Sequence, residues 1–330
     1  MPHQMKNPKM IERILQLVGS SQKILVASHE GPDGDAIGST LALANALREM
    51  GKDVVAYNRD QAPLDYAFLP GYDSVVSELD ESQSFDAGFV LDAGELSRAG
   101  GSWIRDRCEK LVNIDHHPYS EDFGDIYYVD TEACATGVLI YRLLQEAGHK
   151  VSKEVATCIY TAILSDTGSF RYSNANREAF QAAGEMVALG VDPWSIASGL
   201  YESQEEFRLR LLALSLPTLR VSSCGLYASV AVTLDMYAKS GTTEVHTDRF
   251  VNYPRSIRGV EVAIFFRQLN ENTFKVGFRS KGNVDVGALA RAMSGGGHHN
   301  AAGATVEGSL ESVQDWVYGR VAELLTGYSK

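Results

Sequence analysis

Apolar positions first recur at Ile11, Ile14, Leu15 and Val18, the spacing of one helical face, with Pro8 at the start and Gly19 at the stop. They predict a short amphipathic helix. Lys23-Ile-Leu-Val-Ala-Ser28 is then an unbroken apolar run that gives way to His29-Glu-Gly-Pro-Asp-Gly-Asp35, and Ala36 to Met50 reads as a helix closed by Gly51. The same alternation predicts strands near Asp53–Tyr57, Ala87–Leu91 and Lys110–Ile114, and helices near Gly137–Ala147 and Glu154–Leu164. Alternating strands and helices imply an α/β class with a doubly wound, mainly parallel sheet. After Asn176 the pattern is helical through Leu216, interrupted at Asp192-Pro193. From Leu226 it turns strand-like (Tyr227–Thr233, Val260–Phe266, Phe274–Phe278) and then helical at Val286–Ala292 and Leu310–Leu325. We therefore divide the chain into a first domain over 1–190, a helical connector over 191–222 and a second, smaller α/β domain over 223–330.

Composition supports a folded chain of about two domains: 330 residues, 45% hydrophobic and 22% charged. The start lacks the apolar core and cleavage site of a signal peptide, and no run of 18 apolar residues occurs, so the expected location is cytoplasmic, with no membrane partner. Cys108, Cys134, Cys158 and Cys224 have no Cys-x-x-Cys spacing and are expected to be buried small apolar residues. The formal charge is −12, from 30 basic and 42 acidic residues. The excess is acidic in the first two thirds, whereas Arg249–Arg291 is locally basic. A long nucleic acid would be repelled by such a body, which points instead to a small anionic substrate held by a local basic pocket or by metals.

Three of the predicted strands run into polar clusters: His29, Asp33 and Asp35; Asp92; and Asp115-His116-His117. Ligand sites of open α/β sheets gather beyond the carboxyl ends of the strands, so the clusters are expected to converge. Aspartates beside Gly and Pro also cap helices, and Asp35 is a candidate N-cap of the helix that follows. Adjacent histidines next to an aspartate favour metal or acid/base chemistry. Asp166 sits at the end of an apolar helical stretch, an awkward place for a carboxylate without a partner. Together Asp33, Asp35, Asp92, Asp166, His29 and His116 supply oxygen and nitrogen donors suited to hard or borderline divalent ions, and two such ions would balance four carboxylates.

His29-Glu-Gly-Pro-Asp-Gly-Asp-Ala-Ile-Gly-Ser39, Asp92 with Arg98, Asp115-His-His117 and Ser165-Asp-Thr-Gly-Ser-Phe-Arg171, in that order, resemble the four motifs of the DHH phosphoesterase superfamily. Phe278-Arg-Ser280 and Gly295-Gly-Gly-His-His-Asn-Ala-Ala-Gly303 resemble its DHHA1 substrate-binding domain. Length and domain pair are most similar to the nanoRNase/pAp phosphatase branch. The resemblance implies a DHH catalytic domain and a DHHA1 domain with the active-site cleft between them. It also implies two divalent ions, manganese before magnesium: one held by His29, Asp33 and Asp92, the other by Asp35, Asp92, His116 and Asp166. Asp115 would orient its surroundings, His117 would contact the scissile phosphate or protonate the leaving oxygen, and Arg98 would support the site by pairing with a carboxylate. Arg279, Ser280, Gly296, Gly297 and His298 would bind the substrate's terminal phosphate, for which a guanidinium and glycine backbone are suited.

The implied activity is a metal-dependent phosphodiesterase that degrades very short oligonucleotides, especially dinucleotides, to nucleoside 5′-monophosphates. A water acidified between two metals would attack in line, and 3′-phosphoadenosine 5′-phosphate would be a further substrate. A homodimer is the candidate assembly. The alternatives are a cyclic or linear dinucleotide second-messenger phosphodiesterase and, from another class, a catalytically inactive nucleotide-binding sensor. A RecJ-like exonuclease fits less well because the acidic body offers little to track a long strand. The GGGH segment argues against a family II pyrophosphatase.

Overall fold

The computed structural model describes residues 8–80, 82–282 and 284–326. It forms two compact units, Met1–Ser203 and Gln204–Lys330. The first runs α1 (Pro8–Ser20), β1 (Lys23–Ser28), α2 (Gly34–Glu49), β2 (Asp53–Tyr57), β3 (Val75–Val76), β4 (Phe85–Leu91), α3 (Leu96–Ala99), α4 (Ser102–Arg105), β5 (Cys108–Asp115), β6 (Ile126–Val129), α5 (Thr136–Glu146), α6 (Lys153–Asp166), α7 (Arg177–Ala188) and α8 (Pro193–Tyr201).

Its six strands pair in the order β3-β2-β1-β4-β5-β6, every neighbour parallel. The order reverses between β1 and β4, the switch point at which an open sheet leaves a crevice. Register brings the strand ends level there: Ser28 pairs with Leu91, and Leu91 with Ile114. The polar residues that follow each strand therefore emerge side by side. Central strands are buried on both faces, as their near-continuous apolar runs require, with Ile24, Leu25, Val26, Phe89, Val112 and Ile114 fully inaccessible.

Behind the crevice α2, α5 and α6 pack almost backbone to backbone. A Cβ on Gly38 would lie 2.7 Å from the Cys158 carbonyl oxygen, and one on Gly137 would lie 2.6 Å from the Ala162 Cβ. This closeness matters because α2 carries Asp35, α5 starts at Thr136 and α6 ends at Asp166.

The second unit runs α9 (Glu206–Ser215), β7 (Arg220–Val221), β8 (Tyr227–Val232), α10 (Leu234–Ser240), α11 (Asn252–Arg255), β9 (Val262–Asn270), β10 (Thr273–Ser280), α12 (Val286–Arg291), β11 (Gly296–His298), β12 (Ala301–Glu307) and α13 (Leu310–Leu325). Its sheet, β11-β12-β10-β9-β8-β7, is antiparallel apart from the β8–β9 pair. Phe266, Phe274, Val276, Phe278, Val286, Val313, Val317 and Val321 fill its core. Gly296 and Gly297 of the GGG stretch open the edge strand β11. Among the described residues no helix is long and apolar enough to cross a membrane. Cys108, Cys134 and Cys158 are buried as expected, but Cys224 is exposed, since it lies in the polar turn before β8.

Candidate metal centre

Four chain segments meet at the carboxyl ends of β1, β4 and β5. The loop after β1 turns through Gly31 (φ 58°) into α2. Asp33, not Asp35, caps that helix: its Oδ1 accepts the backbone N–H groups of Asp35 (3.0 Å) and Ala36 (3.1 Å). Asp35 is thereby set inside the first turn with its side chain buried. Asp92, directly after β4, is a non-glycine residue at φ 58°, a conformation that aspartate tolerates better than most side chains.

His29, Asp33 and Asp92 form one group whose candidate donor atoms lie within 4.8 Å of one another, and Asp35, His116 and Asp166 form a second. Asp92 faces both, with Oδ2 3.8 Å from His29 Nε2 and Oδ1 3.5 Å from His116 Nε2. His116 Nε2 is also 3.6 Å from Asp35 and 3.9 Å from Asp166. Both rings turn Nδ1 to a backbone carbonyl, His29 to Glu30 (2.7 Å) and His116 to Ala133 (3.1 Å). A carbonyl only accepts, so Nδ1 carries the proton and Nε2 points its lone pair at the carboxylates, the tautomer a metal ligand needs.

The electrostatics of the bare cluster show the same demand for a cation. Burial, then the charges of Asp35, Asp33, Asp115 and Asp166, push Asp92 well above the ordinary carboxylate range. Burial likewise drives Asp166 up to about 7, helped by Asp35 and Asp33 and opposed by His116. Burial works against a charged His116, yet Asp166, Asp35 and Asp115 outweigh it and raise the imidazole. A site that gathers protons in this way is short of positive charge. Four carboxylates and two imidazoles, without a thiolate, make a donor set that divalent cations fit.

Asp115 is fully buried and serves a different purpose. Its Oδ1 accepts His117 Nδ1 at 2.6 Å and the backbone N–H groups of His116 (2.7 Å) and His117 (3.1 Å), while Oδ2 accepts Gly94 N–H at 2.9 Å. Burial would raise this carboxyl, but the bond to His117 prevails and holds it well below the usual range. His117 also comes near Asp92 and His116, but its Nδ1 is committed to Asp115. Arg98 departs from expectation. Its Nη1 donates to the Ala93 carbonyl at 3.1 Å, not to a carboxylate, because the short α3 folds it back over the Asp92-Ala-Gly94 turn.

Several groups that hold the cluster carry no mark in the sequence. The first two N–H groups of α5 seize Asp35, Thr136 N at 2.6 Å and Gly137 N at 3.0 Å, and Ser39 Oγ adds a third bond at 2.8 Å. Thr136 Oγ1 donates to Asp92 Oδ1 at 2.9 Å. Asn174 Nδ2 lies 2.9 Å from Asp166 Oδ2, 3.1 Å from the Asp166 carbonyl and 3.0 Å from the Cys134 carbonyl. Three acceptors fix which end of that amide is nitrogen. Asn58 Nδ2, buried beside β1, holds Ser28 Oγ and the His29 carbonyl, both at 2.9 Å. Each would read as an ordinary cap or turn residue. Only the sheet's register shows what it faces.

In the second unit, Arg279 is exposed on β10 and pairs with Ala301 of β12, which pairs in turn with His298 of β11. Arg279 and the His298 backbone thus share one level of the sheet, two strands or about 10 Å apart; the His298 side chain lies outside the described residues. Gly297 is obligatory, since at φ 131° its missing Cβ would lie 2.5 Å from the Ala301 carbonyl oxygen. Gly296 has open space where a Cβ would be. Ser280 does not reach solvent. Its hydroxyl donates to the Val284 carbonyl at 2.6 Å and accepts from Asn300 at 2.8 Å, since alternate residues of β10 point into the core. It braces the turn instead of presenting a ligand group.

Residues 23–163 match the DHH family, N-terminal domain, and residues 225–323 match the DHHA1 domain. The chain belongs to the DHH/DHHA1 family. It is similar over 326 residues, at 32% identity, to the bifunctional oligoribonuclease and PAP phosphatase NrnA of Thermus thermophilus, covering 98% of this chain and 96% of that protein. The protein of the same name from Bacillus subtilis is 30% identical over 304 residues, 90% of this chain and 93% of the relative. A crystal structure of an exopolyphosphatase-related protein from Bacteroides fragilis has the same fold, with a TM-score of 0.92 and 30% identity over 98% of each chain. The family and branch read from the motifs are borne out, as is the α/β class with a second, smaller α/β unit.

Proposed function

We propose that this chain is a divalent-metal-dependent phosphoesterase that cuts very short oligonucleotides, dinucleotides above all, to nucleoside 5′-monophosphates, and that also dephosphorylates 3′-phosphoadenosine 5′-phosphate. The observation that carries the reading is the double carboxylate–imidazole cluster at the switch point, with Asp92 facing both groups and His117 held beside it by a buried aspartate. The names of the near full-length relatives support the same substrate class. We place the chain in the cytoplasm on the same reading.

His29, Asp33 and Asp92 would hold one ion and Asp35, Asp92, His116 and Asp166 the other, manganese before magnesium. When bound, the ions supply Lewis-acid stabilisation of phosphoryl oxygens and acidify the attacking water. Asp115 accepts the Nδ1–H of His117 and so fixes its ring plane; the doubly protonated ring would then present Nε2–H to the leaving oxygen. Arg98 stiffens the Asp92 turn through the Ala93 carbonyl. Arg279 suits a terminal phosphate because a guanidinium offers paired donors, and the open backbone at Gly296, with Gly297 and His298 following it on the edge strand, would admit close approach.

The test is kcat/KM with manganese for 5′-phosphorylated RNA of two to ten nucleotides, 3′-phosphoadenosine 5′-phosphate and a cyclic dinucleotide. Preference for linear dinucleotides is expected. Dominant turnover of the cyclic substrate would reassign the chain to second-messenger degradation, and binding without turnover of any substrate would make it a sensor.

A further inference from the structure

Asp92 faces both groups, and its two oxygens are divided between them: Oδ1 toward His116 and Oδ2 toward His29. A carboxylate is broad and roughly two-fold in χ2, so this division needs something to impose it. The Asp92 backbone, in the left-handed region, fixes where the side chain starts but not how the carboxylate turns. The Thr136 hydroxyl is fully buried and lies 2.9 Å from Oδ1. An ionised carboxylate only accepts, so the hydroxyl donates, and it pins one named oxygen.

Thr136 is itself rigidly placed. It is the first residue of α5, its N–H is spent on Asp35 at 2.6 Å, and the helix behind it is seated on α6 through Gly137. As a β-branched residue in a helical turn it has few rotamers to choose from. The hydroxyl and the Asp35-binding N–H belong to one residue, so the Asp35 and Asp92 carboxylates are referenced to the same point of the fold.

We infer that Thr136 is a positioning residue, whose hydroxyl sets the rotation of Asp92 and so allows one carboxylate to serve two divalent cations. The inference rests on the metal reading proposed above. It separates the side chain from the backbone: a substitution at 136 keeps both N–H bonds to Asp35 and removes only the bond to Asp92. Loss of an outer hydrogen bond to a metal ligand weakens affinity by about 10- to 100-fold.

The experiment is manganese titration of the metal-free full chain by isothermal calorimetry, for wild type, Thr136→Val and Thr136→Ser, with apo melting temperature and near-UV circular dichroism recorded for each. Valine matches threonine in shape without the hydroxyl, and serine keeps the hydroxyl without the methyl. Expected are two ions bound by wild type, a loss of about 10- to 100-fold in affinity for at least one ion in Thr136→Val, and serine within about threefold of wild type. In kinetics, Thr136→Val should regain most of its kcat at high manganese, the signature of weakened binding instead of damaged chemistry. Thr136→Ala carries the same comparison should the valine variant fail to fold. Wild-type affinity in Thr136→Val would overturn the inference, as would serine binding as weakly as valine, since packing would then be the cause. A wild-type chain that binds no manganese would instead overturn the metal reading itself, and the inference with it.

Discussion

The tight seat of α2 on α6 makes an opposed pair of glycine substitutions informative. Gly38→Ala adds a methyl 2.7 Å from the Cys158 carbonyl oxygen and 3.0 Å from both the backbone nitrogen and the Cβ of Ala162. Two of these three atoms are backbone, which cannot rotate aside. Alanine gains about 1 kcal/mol over glycine in a helix interior, whereas forcing a methyl into a packed interior costs about 1–3 kcal/mol. With rigid partners the cost falls at the upper end, for a net loss of about 2 kcal/mol. In a unit of this size each kcal/mol shifts the melting temperature by about 2–4 °C, so a fall of about 4–8 °C is expected. Gly184, in the interior of α7, has nothing within 4 Å of its would-be Cβ. Gly184→Ala takes the propensity gain without the clash and should raise the transition by about 2–4 °C. Differential scanning calorimetry of both variants beside wild type gives the answer. Gly38→Ala melting at or above wild type would refute the close-packing argument, because propensity alone would then govern both sites.

Other outcomes follow from single residues. Asp92→Ala should abolish turnover at saturating substrate, while Arg279→Ala should raise KM and spare kcat; near-normal kcat in the first, or a fall in kcat alone in the second, would contradict the roles proposed. Arg142 joins α5 to Asp130 (2.7 Å), in the loop that brings Ala133 to His116, and to Glu178 (2.7 Å) of α7. Arg142→Met strands two largely buried carboxylates and should cost about 3 kcal/mol in urea unfolding; a loss under about 1 kcal/mol would show that solvent screens the network. Burial pushes the Cys108 thiol up to about 12 and raises Cys134 and Cys158 as well, whereas hydrogen bonds from Ser222 and the Leu226 backbone lower the exposed Cys224. A chromogenic disulfide reagent at pH 8 should therefore label one thiol quickly, and Cys224→Ser should remove that phase; a fast phase surviving the substitution would mean that a buried cysteine opens to solvent.

What was legible in the sequence followed hydrophobic period. The runs at Lys23–Ser28, Asp53–Tyr57 and Leu310–Leu325 become β1, β2 and α13 with the expected bounds, because apolar alternation and breaker residues coincide there. Helix α2 begins two residues before the expected Ala36, since the choice between Asp33 and Asp35 as cap turns on loop geometry that spacing does not contain. Strands β11 and β12 were illegible: Gly-Gly-His and Ala-Ala-Gly-Ala-Thr-Val-Glu are poor in the branched and aromatic residues that mark strands, and the sheet forms there because glycine lets backbones approach. Strand β6 is only four residues long and falls in a polar stretch without a matching alternation.

The candidate site divides along a similar line, for a chemical reason. Residues whose type announces chemistry, such as His116 or Asp166, stood out because an imidazole pair or a helix-end carboxylate is costly without a partner. The groups that aim them did not, because the aiming is done by backbone and by small neutral side chains. The Ala133 and Glu30 carbonyls choose the histidine tautomers, the N–H groups of Thr136 and Gly137 hold Asp35, and the Asn174 amide holds Asp166. A carbonyl has no residue type to read, and a threonine at a helix start is unremarkable. The donor set is therefore written in composition, but the division of Asp92 between two groups is written in strand register. Ser28, Leu91 and Ile114 end level because three parallel strands pair in one phase, and a slip of one residue in β4 would turn Asp92 to the opposite face of the sheet while every ligand type stayed in place.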